Sequence, residues 1–158
     1  MFLHISFVES RFYNMFKNPF FLLTLFFLLV ASSCKKNRAN NFPSVSVEQY
    51  IYLNNATNFD LQFQGGAVYA DGGLKGLIIY RRYNNSARDD FAAYDRACPV
   101  HFEEDCAQLE ITDDKTFAKC SCGGEEYLLY DGSPTGGAQY GLVEYSAIFD
   151  GSIIYVKN

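Results

Sequence analysis

Beyond Phe42 no stretch of ten or more residues carries apolar side chains at spacings of three and four, which argues against any helical architecture. Short β-rich runs bounded by Gly, Asn and Asp recur instead. Val45–Leu53 alternates apolar and polar residues, and Asn54-Asn55 follows it as a turn. Further runs are Ala67–Ala70, Gly76–Arg82, Phe91–Tyr94, Gln108–Thr112, Thr116–Cys120, Tyr127–Tyr130, Gly141–Ser146 and Ile153–Val156. Between them stand the turn signals Asp71-Gly72-Gly73, Asn84-Asn85, Asp113-Asp114, Asp131-Gly132 and Asp150-Gly151. Short strands at this spacing predict an all-β fold, a small antiparallel sandwich or barrel. Tyrosines are expected at half-buried sheet positions, where the ring packs and the hydroxyl reaches water.

The first 33 residues read differently. They hold eight of the 15 Phe, and their only charges are Glu9, Arg11 and Lys17. From Met15, Lys17 precedes an apolar run and then Ala31, Ser32, Ser33 and Cys34, the layout of a bacterial secretory signal. The small residues before Cys34 resemble a lipobox, which makes Cys34 the expected lipidation site and Met15 the expected start. Residues 1–33 are thus assigned to the signal, 34–42 to the lipidated Cys and a flexible basic tether, and 43–158 to the β domain. The expected location is the bacterial cell envelope, with a lipid anchor in a membrane and the domain facing the periplasm.

Charge and histidine content narrow the functions further. Of 13 basic and 18 acidic residues, two basic and one acidic fall in the signal, leaving a body with a net charge of −6. That balance argues against nucleic acid as a partner. The two histidines are His4 and His101, so a processed chain keeps only His101 and excludes any site built on two imidazoles. No G-x-S-x-G elbow accompanies His101, and no Lys or Ser/Thr follows Gly123-Gly124 as a phosphate loop needs. Glu103-Glu104-Asp105 and Glu125-Glu126 are expected to be solvated loop residues, and Arg81, Arg82, Arg88 and Arg96 surface charges. Nothing in the sequence points to a small-molecule substrate or to catalytic activity of its own.

Four body cysteines form two clusters, C-P-V-H-F-E-E-D-C from Cys98 to Cys106 and C-S-C-G-G from Cys120. Each follows a strand-like run. Two strand-end loops with soft ligands suit a metal site, and an even cysteine count in an exported chain suits disulfides equally well.

The run from Gly76 onward resembles the Rieske iron–sulfur family, with the likeness spanning roughly residues 45–158. That family holds a [2Fe–2S] cluster between two loops by two Cys and two His, and some members join the loops by a disulfide. A-Y-D-R-A-C-P-V-H followed by Cys106 resembles the first loop, and K-C-S-C-G-G the second. Y-L-L-Y-D-G-S-P resembles the strand and turn beyond it, Gly136-Gly137-Ala138 stands near the family's Gly-Pro-Ala turn, and Leu142, Tyr145 and D-G-S-I-I-Y-V match its last hairpin. The resemblance implies an ISP-like β domain with both cysteine loops at one end. It implies Cys98 and Cys120 as thiolate ligands, His101 as an imidazole ligand, and a Cys106–Cys122 disulfide.

The departures are equally specific. His101 stands three residues after Cys98 instead of two, and Gly123 occupies the place of the second histidine. An ordinary two-Cys, two-His centre is therefore excluded, and three arrangements stay open. A rewired [2Fe–2S] cluster would use Cys98, His101, Cys120 and either Cys122 or Cys106, and would pass single electrons to a redox partner protein. A structural zinc would use the same ligands. Without a metal, Cys106–Cys122 would staple the loops, with Cys98–Cys120 as a second bridge, in a non-catalytic envelope protein.

Overall fold

A computed structural model describes residues 41–136 and 138–158. The signal segment, Cys34 and all of the tether but Asn41 and Phe42 lie outside the described residues, as does Gly137 of the expected Gly-Pro-Ala-like turn. Among the described residues no helix is long and apolar enough to cross a membrane.

The fold is all-β and antiparallel. Its strands are β1 (Glu48–Tyr52), β2 (Ala67–Ala70), β3 (Leu77–Arg81), β4 (Phe91–Asp95), β5 (Leu109–Ile111), β6 (Phe117–Cys120), β7 (Glu126–Leu128), β8 (Pro134–Thr135), β9 (Glu144–Phe149) and β10 (Ile153–Lys157). They form a six-stranded sheet in the order β1-β10-β9-β4-β3-β2 and a four-stranded sheet in the order β5-β6-β7-β8.

The six-stranded sheet curls around one core, containing Val47, Ile51, Val68, Leu77, Ile79, Phe91, Phe149 and Ile154. Its β2–β4 half packs its other face against the smaller sheet, where Ile78, Ala92, Tyr94, Leu109, Ala118, Tyr127 and Leu129 form a second core. Strands β3 and β4 are therefore covered on both sides, and all five residues of β4 are buried. This explains why L-I-I-Y and F-A-A-Y read as near-continuous apolar runs, whereas β1 at the sheet edge alternates. Tyr94 and Tyr127 depart from the half-buried expectation and are fully enclosed.

Several strand limits differ from expectation for local reasons. β1 begins at Glu48 because the Asn158 side chain, not a β10 backbone, receives the Val47 N–H (3.1 Å) and donates to Val45 C=O (2.8 Å). β9 begins at Glu144 because Leu142 N–H bonds Gly132 C=O and Val143 C=O receives Asp95 N–H. After β1 a seven-residue 3-10 helix, Ala56–Gln62, is capped by Asn55, whose side chain accepts from Thr57 N–H at 3.3 Å.

The arginine expectation needs correction. Arg81 is 5% exposed. Its guanidinium donates to Leu61 C=O, Tyr83 C=O and the Asn84 side chain, and pairs with buried Asp90 at 3.5 Å. It also lies over the Phe91 ring, 4.9 Å from the centroid. Arg82 bonds Glu144 (2.6 Å) and Tyr94 Oη (3.0 Å) between the sheets. Arg81 ends the buried strand β3 and Arg82 follows it, and their stems and charges are satisfied internally rather than by solvent.

Candidate functional site

Both cysteine loops rise from elements that hold their roots rigid. The first leaves β4 at Asp95, a fully buried carboxylate. Asp95 accepts from Leu74 N–H (2.6 Å), Ala97 N–H (2.7 Å) and Tyr145 Oη (2.7 Å), so one side chain ties a neighbouring turn, the loop root and β9 together. Arg96 then donates to Leu109 C=O at 2.8 Å, closing the loop base against β5. Between Cys98 and Ala107 the chain runs through three consecutive turns, with N–H groups of His101, Glu104 and Ala107 each bonding the carbonyl three residues back. These turns accommodate the longer spacing to His101 and Cys106, and bring His101 and Glu104 to one side.

The second loop begins where β6 ends. Cys120 N–H bonds Glu125 C=O (2.8 Å), and Gly124 N–H bonds Cys120 C=O (2.9 Å). Ser121 docks on the first loop through its N–H (3.1 Å) and hydroxyl (3.0 Å), both to Gln108 C=O.

All four body cysteines meet here as disulfides. Cys98 pairs with Cys120 across a Cα–Cα distance of 5.7 Å, and Cys106 with Cys122 across 5.2 Å. Cys98 and Cys120 are enclosed at 0% and 1% exposure, with Tyr127 Oη 3.9 Å from the Cys98 sulfur. Cys106 is exposed and Cys122 half-buried, so one bridge belongs to the core and the other to the surface.

His101 lies between two carboxylates. Its Nδ1 is 2.8 Å from Glu104 Oε1 and its Nε2 is 3.0 Å from Glu125 Oε1. Hydrogen bonding to Glu104 and then to Glu125 raises the His101 pKa above its ordinary value and favours imidazolium. Burial pushes Glu125 upward, but its own backbone N–H and His101 outweigh that and hold it below the usual carboxylate range. Glu125 therefore departs from the solvated expectation, whereas Glu104 stays exposed as expected while it pairs with His101. Glu125 Oε2 is buried with no hydrogen-bond partner among the described residues.

Gly123 explains why Glu125 can turn inward. A Cβ at position 123 would lie 2.3 Å from Glu125 Oε1, so the space that a side chain there would occupy holds the carboxylate instead. The sequence carries a faint signal for this: a glycine where a ligand is expected, with an acid two residues on.

A two-Cys, two-His cluster does not fit these residues. Both cysteines expected as ligands are joined to each other, both ring nitrogens of His101 face carboxylates, and Glu125 fills the second histidine's place. With both bridges formed, no body cysteine offers a thiolate to iron or zinc. The cysteine sulfurs and carboxylates nonetheless cluster. Sγ of Cys98 and Cys120 and a Glu125 oxygen lie within 4.8 Å of one another, as do the ligand atoms of Glu104, Cys106 and Cys122.

No protein-family model matches the chain. No curated protein sequence matches it either. Among solved structures it is similar to the plasma membrane Rieske protein PetC3 of the cyanobacterium Synechocystis PCC 6803, at 21% identity and a TM-score of 0.48, over 73% of this chain and 100% of that one. It is also similar to the ferredoxin of carbazole 1,9a-dioxygenase from Nocardioides aromaticivorans IC177, at 17% identity and a TM-score of 0.45, over 72% and 98% of the two chains.

Proposed function

We propose that this chain is a non-catalytic envelope lipoprotein with a Rieske-like β domain, residues 43–158, whose two loops are held by disulfides in place of a cluster. Residues 1–33 direct export from Met15, Cys34 carries the lipid, and 35–42 form the tether to the membrane. The observation that carries the reading is the buried Cys98–Cys120 bridge, which joins the two cysteines that a cluster would need as separate thiolates. The ion-pair chain Glu104–His101–Glu125 supplies a further link between the loops. The domain is then a binding or structural module.

A second reading has one observation in its favour. Glu125, one of whose carboxylate oxygens lies within 4.8 Å of the Cys98 and Cys120 sulfurs, has its Oε2 buried without a hydrogen-bond partner among the described residues, which suits a metal held after reduction of the bridges. Cys98, His101, Cys120 and Cys122 would then carry an atypical [2Fe–2S] centre serving a redox partner, or a structural zinc.

The two readings separate on anaerobic purification of the full-length chain. Colourless protein, no stoichiometric iron, sulfide or zinc, and no alkylatable thiol in the body support the disulfide reading. A brown protein with iron and sulfide, or zinc with free thiols, overturns it. Anchoring is tested by Cys34→Ser, which should release the chain from the membrane fraction; retention there would remove Cys34 as the lipid site.

A further inference from the structure

The two end strands of the six-stranded sheet, β1 and β2, line one open groove of about 690 Å³ that reaches Arg96 and Gln108 at the base of the first cysteine loop. That volume lies within the roughly 300–1,000 Å³ of small-molecule sites. Tyr50, Tyr52 and Tyr69 stand in it at 54%, 51% and 44% exposure, a concentration of aromatic surface unusual for a fold that encloses Tyr94 and Tyr127.

Two of these rings are fixed from behind. The Arg96 guanidinium lies 3.9 Å from the Tyr69 ring centroid, and Tyr69 Oη accepts from Ile111 N–H at 2.8 Å. Tyr50 stacks on Tyr155, with centroids 4.8 Å apart at 23°. Each ring thus spends one face on an internal partner and keeps accessible surface on the groove. Gln49, Asn55 and Asp71 add amide and carboxylate groups, and Asp71 has no hydrogen bond or ion pair among the described residues.

The strand edges contribute main-chain groups. Leu53 N–H bonds Ser152 C=O across the β1–β10 ladder, so the alternate residues Glu48, Tyr50 and Tyr52 aim their backbone groups at the free edge. Arg81 N–H bonds Gly66 C=O, which leaves Ala67 and Tyr69 facing outward from β2 in the same way. An added peptide strand would need a longer run. β2 has only four residues, and Tyr52 C=O already receives Asn55 N–H (3.2 Å) and the Asn58 side-chain amide (2.9 Å). Short edges, preset aromatic faces, amides and an unpaired carboxylate suit a small polyhydroxylated ligand, whose C–H faces stack on rings and whose hydroxyls both donate and accept.

We infer that the groove between β1 and β2 binds a short oligosaccharide, with Tyr50, Tyr52 and Tyr69 as stacking surfaces and Asp71 and Gln49 as hydroxyl partners. The inference uses none of the four body cysteines and neither His101 nor its two carboxylate partners. The chain has no Trp, so its emission comes from tyrosine, and three of its 12 tyrosines line the groove. The full-length chain in detergent is titrated with soluble oligomers of N-acetylglucosamine and of glucose, and binding is checked by calorimetry. Saturable binding of one oligomer is expected, weakened about fivefold or more, equivalent to about 1 kcal/mol, by Tyr50→Ala through loss of a ring contact and by Asp71→Ala through loss of a hydroxyl partner. Tyr130→Ala, at an exposed tyrosine outside the groove, should bind as the parent does. Circular dichroism matching the parent verifies that each variant is folded. Absence of saturable binding to both oligomers, or undiminished affinity in either groove variant, overturns the proposal.

Discussion

The two disulfides invite a quantitative test because they interlock. Cys98–Cys120 spans 22 residues and Cys106–Cys122 spans 16, and each encloses one cysteine of the other. Taken singly, chain-entropy arithmetic assigns them about 3.4 and about 3.1 kcal/mol. With one bridge in place, however, the other closes a shorter circuit. Eight residues separate Cys98 from Cys106 and two separate Cys120 from Cys122, which makes an effective loop of about ten residues and about 2.7 kcal/mol for either bridge. The Cys106→Ala/Cys122→Ala variant should therefore lose about 2.7 kcal/mol. The Cys98→Ala/Cys120→Ala variant removes two enclosed sulfurs as well, adding roughly 1–2 kcal/mol for the space left behind. Removing all four cysteines should cost more than the two pair losses together by about 0.5 kcal/mol, because the second loop to be released is then longer. Equilibrium urea unfolding of oxidised protein, with the midpoint and slope read separately, measures each value. Equal losses for the two pairs, or a loss under about 1 kcal/mol for Cys98→Ala/Cys120→Ala, would refute the buried-bridge reasoning.

Other consequences can be checked alongside. The raised His101 pKa means that protonation stabilises the folded chain; the contribution is complete below the unfolded value of 6.5 and is lost as pH rises through the folded value. Parent stability should fall from mildly acidic to mildly alkaline pH more steeply than that of His101→Gln, and parallel urea midpoints would contradict this. Gly132 has φ of +74°, and a Cβ there would lie 2.8 Å from the buried Tyr94 ring. Gly132→Ala should accordingly cost on the order of 1–3 kcal/mol in the same assay, whereas Gly136→Ala, also at positive φ but with open space around it, should cost less. Tyr145→Phe deletes the hydroxyl donor to Asp95 and should lose roughly 1.5–3 kcal/mol; a change below about 0.5 kcal/mol would deny Asp95 its anchoring role.

Strand content was legible because period-two alternation and Asp-Gly or Asn-Asn turns are local signals. The hairpin from Glu144–Phe149 to Ile153–Lys157, turning at Asp150-Gly151, needed nothing beyond its own residues. The two-residue strand Pro134–Thr135 and the capped helix Ala56–Gln62 were too short to leave a periodic trace. Arg81 was misjudged because charge predicts exposure only when no internal partners exist, and Asp90 lies nine residues ahead on the far side of a turn. At the site, the sequence located both cysteine loops and counted one histidine. The role of Glu125 left only the faint signal of Gly123 two residues before it, since its inward turn depends on the missing side chain there and on a ring 24 residues upstream.

Asp95 has a consequence for engineering. It secures the first loop at its base, through Leu74, Ala97 and Tyr145, and touches nothing at the tip. The scaffold and its crown are in that sense separable: a transplanted tip that restores the tighter histidine spacing, with Gly123→His and with Glu125→Gly to vacate the space its carboxylate fills, would graft onto an intact stem.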